Sequence, residues 1–338
     1  MNNAIIELDS VTKCYGSLRA VDNLHLSIHK GEIFGLLGPN GAGKTTSILM
    51  MLGLTEPTSG SVYICGYNAT TNPIAVKRSV GYMPDSVGFY DGMSAIENLL
   101  YIGRLNGIPE SELKIRAVET LEQVGLGADM DKKTATYSRG MKQRLGLADV
   151  LIKQPDIIIL DEPTLGIDPS GIKDFLQLIK RLSIQQGLTV LLSSHHLHHV
   201  QQVCDRVGIF VNGKLLAEGN IDTLSGNLFN KEGYTTTIEV EEEITGSEHL
   251  YAELKQLDAV ENIAIEKKQV TITCNRDKTP TLVRWMVQRG HGIAGVTKKT
   301  YGLDDIYQKY FENHLIESNI NEKSHRFFQK SFFKKHKK

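Results

Sequence analysis

The sequence lacks any apolar run long enough to cross a bilayer. Its best runs, Ile157–Leu160 and Thr189–Leu192, fall far short of the roughly 20 residues that a spanning helix needs. The first residues, MNNAIIELDS, place no positive charge before a long apolar stretch, so a secretory signal is not expected. The expectation is an intracellular protein that depends on another chain wherever a membrane must be crossed. Cysteine is sparse. Cys14, Cys65, Cys204 and Cys274 are scattered without close metal-ligand spacing, which argues against a disulfide framework and fits buried thiols in a reducing compartment. Net charge is nearly absent: 38 Lys and Arg against 39 Asp and Glu leave −1, so the whole chain does not present itself as a nucleic-acid binder. No internal repeat is evident. What remains is ordinary globular usage, 41% hydrophobic and 23% charged over 338 residues. That length suggests about two domains with a substantial core.

Residues 1–222 read as a mixed α/β domain. Strands are predicted at Ala4–Leu8, Leu24–Ile28 and Glu32–Leu37, and a helix from near Gly43 to Leu52. Helical spacing recurs over Ser94–Leu105, Glu110–Val124 and Met141–Ile152. Ile157–Leu160 is a continuous apolar strand of the kind buried on both faces of a parallel sheet. A helix over Ser170–Gln185 and a strand at Leu188–Leu192 complete a βαβ unit. Polar and glycine residues break the pattern over Asn220–Gly233, as a domain boundary does. Beyond it, residues 233–315 read as a small α+β domain, with strands at Thr235–Val240 and Gln269–Cys274 and helices at Thr281–Gln288 and Gly302–Phe311.

Gly38–Thr46 reads GPNGAGKTT and fits GxxxxGK[ST] through Gly38, Gly43, Lys44 and Thr45. It follows an apolar strand and opens a helix, the context this motif requires. Its glycines let backbone N–H groups of Gly38, Asn40, Gly41, Ala42 and Gly43 turn around phosphates, with Pro39 shaping the turn without a donor of its own, and the helix points its positive end at them. Lys44 is expected to reach the β and γ phosphates of ATP, with Thr46 beside it, and Thr45 to offer its hydroxyl to Mg2+.

Asp161 and Glu162 follow the buried strand in IIILDEP, at the end of a strand where parallel sheets bind ligands. Asp161 is placed to hold Mg2+ through water and Glu162 to polarise the attacking water. His195, in LLSSHHLHHV, follows the next strand and is expected to reach the γ-phosphate edge. The cluster His195, His196, His198 and His199 also raises a zinc reading, since 195 and 199 share a face if helical. No HExxH glutamate and no nearby cysteine completes such a set. A further stretch, YSRGMKQR at Tyr137–Arg144, is a glycine-containing loop opening onto a basic helix, and read alone it says little.

The order of these segments resembles the ATP-binding subunit of an ABC transporter over about residues 4–220. GPNGAGKTT is similar to the family's Walker A, IIILDEP to its Walker B with catalytic glutamate, and YSRGMKQR to its signature loop. Tyr15, in VTKCYG, sits where family members stack an aromatic ring on adenine. LGID, Leu165–Asp168, resembles the loop that lines the dimer seam, and His195 the switch histidine. TEPTSGSVYICG, Thr55–Gly66, follows the usual wording after Walker A. The resemblance implies a P-loop NTPase core with an antiparallel β subdomain and a helical subdomain at 85–137. It also implies a dimer of ATPase subunits closing head to tail around two ATP molecules. Each site would combine Lys44, Thr45, Asp161, Glu162 and His195 of one chain with Ser138 and Gly140 of the other.

Two positions depart from the pattern. Arg139 and Met141 replace the more usual Gly and Gln of the signature, adding a positive charge near the nucleotide. Asp85, in GYMPD, replaces a Gln that touches Mg2+ or the water; Asp can ligate Mg2+, and a solvated turn residue is the other reading. Val87–Tyr90 and Met93 stand where a groove for the membrane partner should start, with core packing equally open. YGLDDIYQKYFEN resembles the accessory ending of many such bacterial subunits. The implied function is ATP hydrolysis powering transport, in the export direction, through a separate integral membrane permease, at the cytoplasmic face of the cell membrane as a peripheral subunit. The rivals are a soluble ABC ATPase acting on ribosomes or nucleic acid, and a slow regulatory ATP-binding module. A single ATP domain, no long heptad region and a neutral charge speak against nucleic acid as a partner. Residues 320–338 form a tail whose RFFQKSFFKKHKK carries six Lys or Arg among four Phe. Contact with an anionic membrane and a solvated terminus are both compatible with it.

Overall fold

Alternating apolar and polar residues drive an antiparallel hairpin of β1 (Ala4–Tyr15) and β2 (Leu18–His29) in the computed structural model, which describes residues 4–229, 233–299 and 303–310. Ile6, Leu8 and Val11 face Ile28, Leu26 and Leu24, and all six are buried. The strands run far beyond the predicted Ala4–Leu8 and Leu24–Ile28. Register shifts between Leu8 and Val11 and between Val11 and Lys13 break the period-two pattern on which the shorter expectation rested.

The chain continues through β3 (Ile33–Leu37), α1 (Lys44–Met51), β4 (Ser59–Ile64), β5 (Tyr67–Asn68), α2 (Pro73–Ser79) and β6 (Val80–Met83). Next come α3 (Ala95–Leu105), α4 (Glu110–Gln123), α5 (Arg139–Leu151), β7 (Ile157–Asp161), α6 (Pro169–Gln186) and β8 (Thr189–Ser194). The short α7 (Leu197–Gln201), β9 (Arg206–Val211) and β10 (Lys214–Gly219) end the first of two compact units, Met1–Asn220. One antiparallel sheet has the order β2-β1-β4-β5. The other runs β10-β9-β3-β8-β7-β6, parallel except for the β9–β10 hairpin. Every residue of β3, β7 and β8 is buried, as expected of strands covered on both faces. Helix α1 packs on β2 and β4, and its Ile48, Met50 and Met51 join Phe34, Leu36, Ile157 and Leu191 in one core. The phosphate-loop helix is thereby held by both sheets.

Helix α5 packs on β6 so closely that a methyl group on Gly81 would lie 2.4 Å from Val150 Cγ1. Helix α3 begins with a capping box, Ser94 with Glu97, and α5 is capped by Ser138. Between them, Asn98 is buried and clamps Tyr90: its Oδ1 accepts from the Tyr90 N–H at 2.9 Å and its Nδ2 donates to the Tyr90 carbonyl at 3.2 Å. This divides the stretch on which two readings stood. Val87 is half-buried against Gly146, whereas Tyr90 is 56% exposed and meets Tyr101 edge-on at 5.2 Å.

The second unit, Ile221–Lys338, contains α8 (Ile221–Phe229), β11 (Tyr234–Val240), α9 (Ser247–Lys255), β12 (Val260–Glu266), β13 (Gln269–Cys274), α10 (Thr279–Gln288) and β14 (Ile293–Lys298). Its antiparallel sheet has the order β12-β13-β11-β14, the split βαβ arrangement. Leu250 and Leu254 of α9 and Leu282 and Met286 of α10 pack on Ile238, Val240, Val270 and Ile272. Residues 303–310 are helical. The basic tail, 320–338, lies outside the described residues.

Candidate functional site

The parallel register sets Leu37 beside Ser194 and Asp161 beside Ser193, so the carboxyl ends of β3, β7 and β8 lie side by side. The segments that follow them converge there. After β3 the phosphate loop turns with Gly41 at φ 79° and Gly43 at φ 107°, the left-handed region that favours glycine. Gly43 is further constrained, since a Cβ there would lie 2.4 Å from the Ala20 carbonyl oxygen. The Lys44 ammonium is 6% exposed. It donates to the carbonyls of Gly38 at 2.6 Å and Pro39 at 3.3 Å.

The Thr45 hydroxyl donates to Asp161 Oδ2 at 2.9 Å, and the other Asp161 oxygen accepts from the Ser193 hydroxyl. A hydroxyl and a carboxylate side by side, with Asp85 on the same cavity, form the hard oxygen set that Mg2+ takes together with phosphate and water. Among the described residues no group of three or more His, Cys, Asp or Glu is arranged to hold a metal by protein side chains alone. Beside this set, Tyr82 on β6 is kept neutral: burial first, then the charges of Asp161 and Asp85, push its phenol up to about 12.

Glu162 adopts φ 48°, unusual for a residue with a side chain. Its N–H donates to the Ser193 carbonyl at 3.2 Å and its carboxylate lies between Lys44 and His195. Oε2 lies 2.9 Å from His195 Nδ1, which donates because an ionised carboxylate only accepts. Oε1 is 3.4 Å from Lys44 Nζ, an ion-pair contact without hydrogen-bond geometry, so that buried oxygen keeps its accepting capacity.

A cavity of about 640 Å³ takes in Tyr15, Pro39, Asn40, Gly41, Ala42, Gly43, Lys44, Thr45, Thr46, Asp85, Asp161, Glu162 and His195. Tyr15 is 49% exposed, and the Lys13 ammonium lies over its ring, 5.0 Å from the centroid. Gly38 contributes through its carbonyl on Lys44. Ser138 and Gly140 do not line this cavity, and neither does Arg139, whose Nε donates to the Leu165 carbonyl at 3.3 Å. The zinc geometry does not form: His195 precedes α7 and so does not share a helical face with His199. The cavity also includes residues that the motif reading missed, among them Arg19, Asn212 and Gly213. Asn212–Gly213 is the two-residue turn between β9 and β10, with φ 49° and 79°, and an Asn-Gly pair between apolar runs was the signal available for it. Ser193, which holds both Asp161 and Glu162, carries no motif.

Comparison with known proteins agrees with this geometry. Residues 21–165 match the family model described as ABC transporter. The bacitracin transport ATP-binding protein of Bacillus licheniformis is 44% identical over 222 residues, 66% of this chain and 72% of that protein. The linearmycin resistance ATP-binding protein of Bacillus subtilis is 38% identical over 224 residues, 66% and 72% of the two chains. An ATP-binding cassette solved as a dimer in a post-hydrolysis state with ADP and phosphate superposes with a TM-score of 0.57 at 26% identity, covering 64% of this chain and 98% of that one. Phosphate loop, carboxylates and histidine at the carboxyl end of one parallel sheet, in a chain with relatives this near, lead to one conclusion: the chain belongs to the ATP-binding subunits of ABC transporters, which hydrolyse ATP to power transport through a separate membrane partner.

Proposed function

We propose that this subunit drives export, and that its own residues divide the work of hydrolysis as follows. Lys44 and the N–H groups of the loop from Gly38 to Gly43 hold the phosphates, and Tyr15 stacks on the adenine. Thr45 and Asp161 would hold Mg2+, with Asp85 as a further acceptor, and the ion when bound neutralises charge on the phosphates. Glu162 orients and polarises the attacking water through its free Oε1, while His195 fixes the other oxygen. The fixed cation and the N–H groups stabilise charge on the transferring phosphoryl group without reorganisation.

The observation that carries this reading is the Glu162 carboxylate held between Lys44 at 3.4 Å and His195 at 2.9 Å over the mouth of the phosphate loop. Ser138 and Gly140 lie off the cavity of their own chain, which supports their action on the ATP of a second subunit. Ser138 accepts from the Met141 N–H at 3.3 Å and keeps its own proton to donate. The two relatives serve bacitracin transport and linearmycin resistance, which supports the export direction and an antibiotic as the class of cargo. No helix among the described residues is long and apolar enough to cross a membrane, in keeping with a peripheral subunit on a separate permease.

Glu162→Gln tests the assignment. The variant should bind ATP with wild-type affinity and release phosphate at least about a hundredfold more slowly. Wild-type turnover would remove Glu162 from the role. Affinity purification from gently solubilised membranes tests the partner: a stoichiometric multi-span protein is expected, and recovery with ribosomes or nucleic acid alone would refute transport.

A further inference from the structure

Arg139 is the first residue of α5, and no acid stands in that first turn. A cation there opposes the positive end of the helix dipole. Its side chain turns away from the helix axis and lies on the loop at Leu165–Asp168. Besides the bond from Nε to the Leu165 carbonyl, the guanidinium covers Gly166: a methyl group on that residue would sit 3.0 Å from Nε, 3.4 Å from Cζ and 3.5 Å from Cδ. Gly166 has φ +76°, so the bare backbone that receives the guanidinium also favours glycine on conformational grounds. One residue on, a methyl group on Gly140 would meet Ile167 Cγ2 at 3.8 Å. Leu165 itself lines the nucleotide cavity of the same chain.

We infer that Arg139 is a positioning residue that couples the chain's own nucleotide cavity to its signature segment. Leu165 lines the cavity, and the Leu165–Gly166 backbone carries the guanidinium. A displacement of that backbone when the cavity fills is carried to Arg139, and through it to Ser138 and Gly140. Those two residues cap the nucleotide of the partner subunit, so occupancy of one site sets the geometry of the cap on the other. A glycine at position 139 has no atoms with which to make this link. The inference rests on the head-to-tail dimer proposed above.

The test has two parts. In the Glu162→Gln background, light scattering follows dimerisation driven by ATP; in the wild-type background, phosphate release gives the Hill coefficient. Arg139→Ala should weaken ATP-driven dimerisation on the order of fivefold, the scale of one ordinary hydrogen bond. It should also bring the Hill coefficient towards 1 and leave the affinity of the dilute monomer for a fluorescent ATP analogue unchanged. Gly166→Ala, which pushes the guanidinium aside, should lower the Hill coefficient in the wild type and have no further effect on it in Arg139→Ala. A wild-type Hill coefficient in Arg139→Ala overturns the inference, as does an equal loss of monomer affinity. Failure of the Glu162→Gln parent to dimerise with ATP, seen before Arg139 is touched, overturns the dimer reading and the coupling with it.

Discussion

Asp149 lies in the last turn of α5, the helix that begins at the signature segment, and it offers a measurable consequence of this packing. Burial pushes its carboxyl from 3.8 up to about 6, with the charge of Lys153 pulling the other way. Burial also lowers Lys153, whose ammonium donates to the Lys77 carbonyl at 3.0 Å. A carboxyl with a raised value prefers its neutral form in the folded chain. Its stability contribution is therefore intact below about pH 4 and is lost as the pH rises through about 6. The difference corresponds to roughly 3 kcal/mol of destabilisation above pH 6. Asp149→Asn keeps the shape and never ionises, but it removes the charge that supports Lys153, so a net gain of about 2 kcal/mol at pH 7.5 is expected, shrinking to near zero at pH 4. Urea unfolding followed by far-UV circular dichroism at both pH values is the assay. The one tryptophan, Trp285, belongs to the second unit, so tryptophan fluorescence does not serve for the first. Equal or lower stability of the variant at pH 7.5, or a gain independent of pH, would refute the reasoning.

Other outcomes follow from the same contacts. Lys44→Ala should abolish detectable ATP binding by equilibrium dialysis, because the phosphates lose their cation; unchanged affinity would count against the assignment. Ser193→Ala removes the hydroxyl that holds Asp161, and the Mg2+ concentration for half-maximal phosphate release should rise about tenfold while the affinity for metal-free ATP stays constant. Gly81→Ala forces a methyl group onto Val150 and its carbonyl, and chemical denaturation should register a loss of about 1–3 kcal/mol in the first unit.

What could be read in advance follows from the range of the interactions involved. GPNGAGKTT is legible because its constraints are local: glycines in the left-handed region, a lysine and a hydroxyl within one loop and the first turn of its helix. IIILD is legible because burial on both faces demands an unbroken apolar run. Within the second unit, α9, β12 and β14 escaped notice, and α8 formed over Ile221–Phe229 where a pattern-breaking boundary was expected. SEHLYAELK is short and mostly polar, and β14 is an edge strand whose Ala294, Val296, Thr297 and Lys298 are exposed, so neither carries a clear period. The last seven residues of β1, Asp9–Tyr15, were hidden by its bulges.

The residues alone determined the chemistry on offer, since a phosphate loop, paired carboxylates and a histidine in this order are each defined within a few positions. Only the tertiary structure decided which of them meet. Thr45 reaches Asp161 across 116 positions, Ser193 reaches Asp161 across 32, and Arg139 reaches Leu165 across 26. Those distances in sequence are closed by the parallel register of β3, β7 and β8 and by the packing of α5, which depend on the whole core being buried at once.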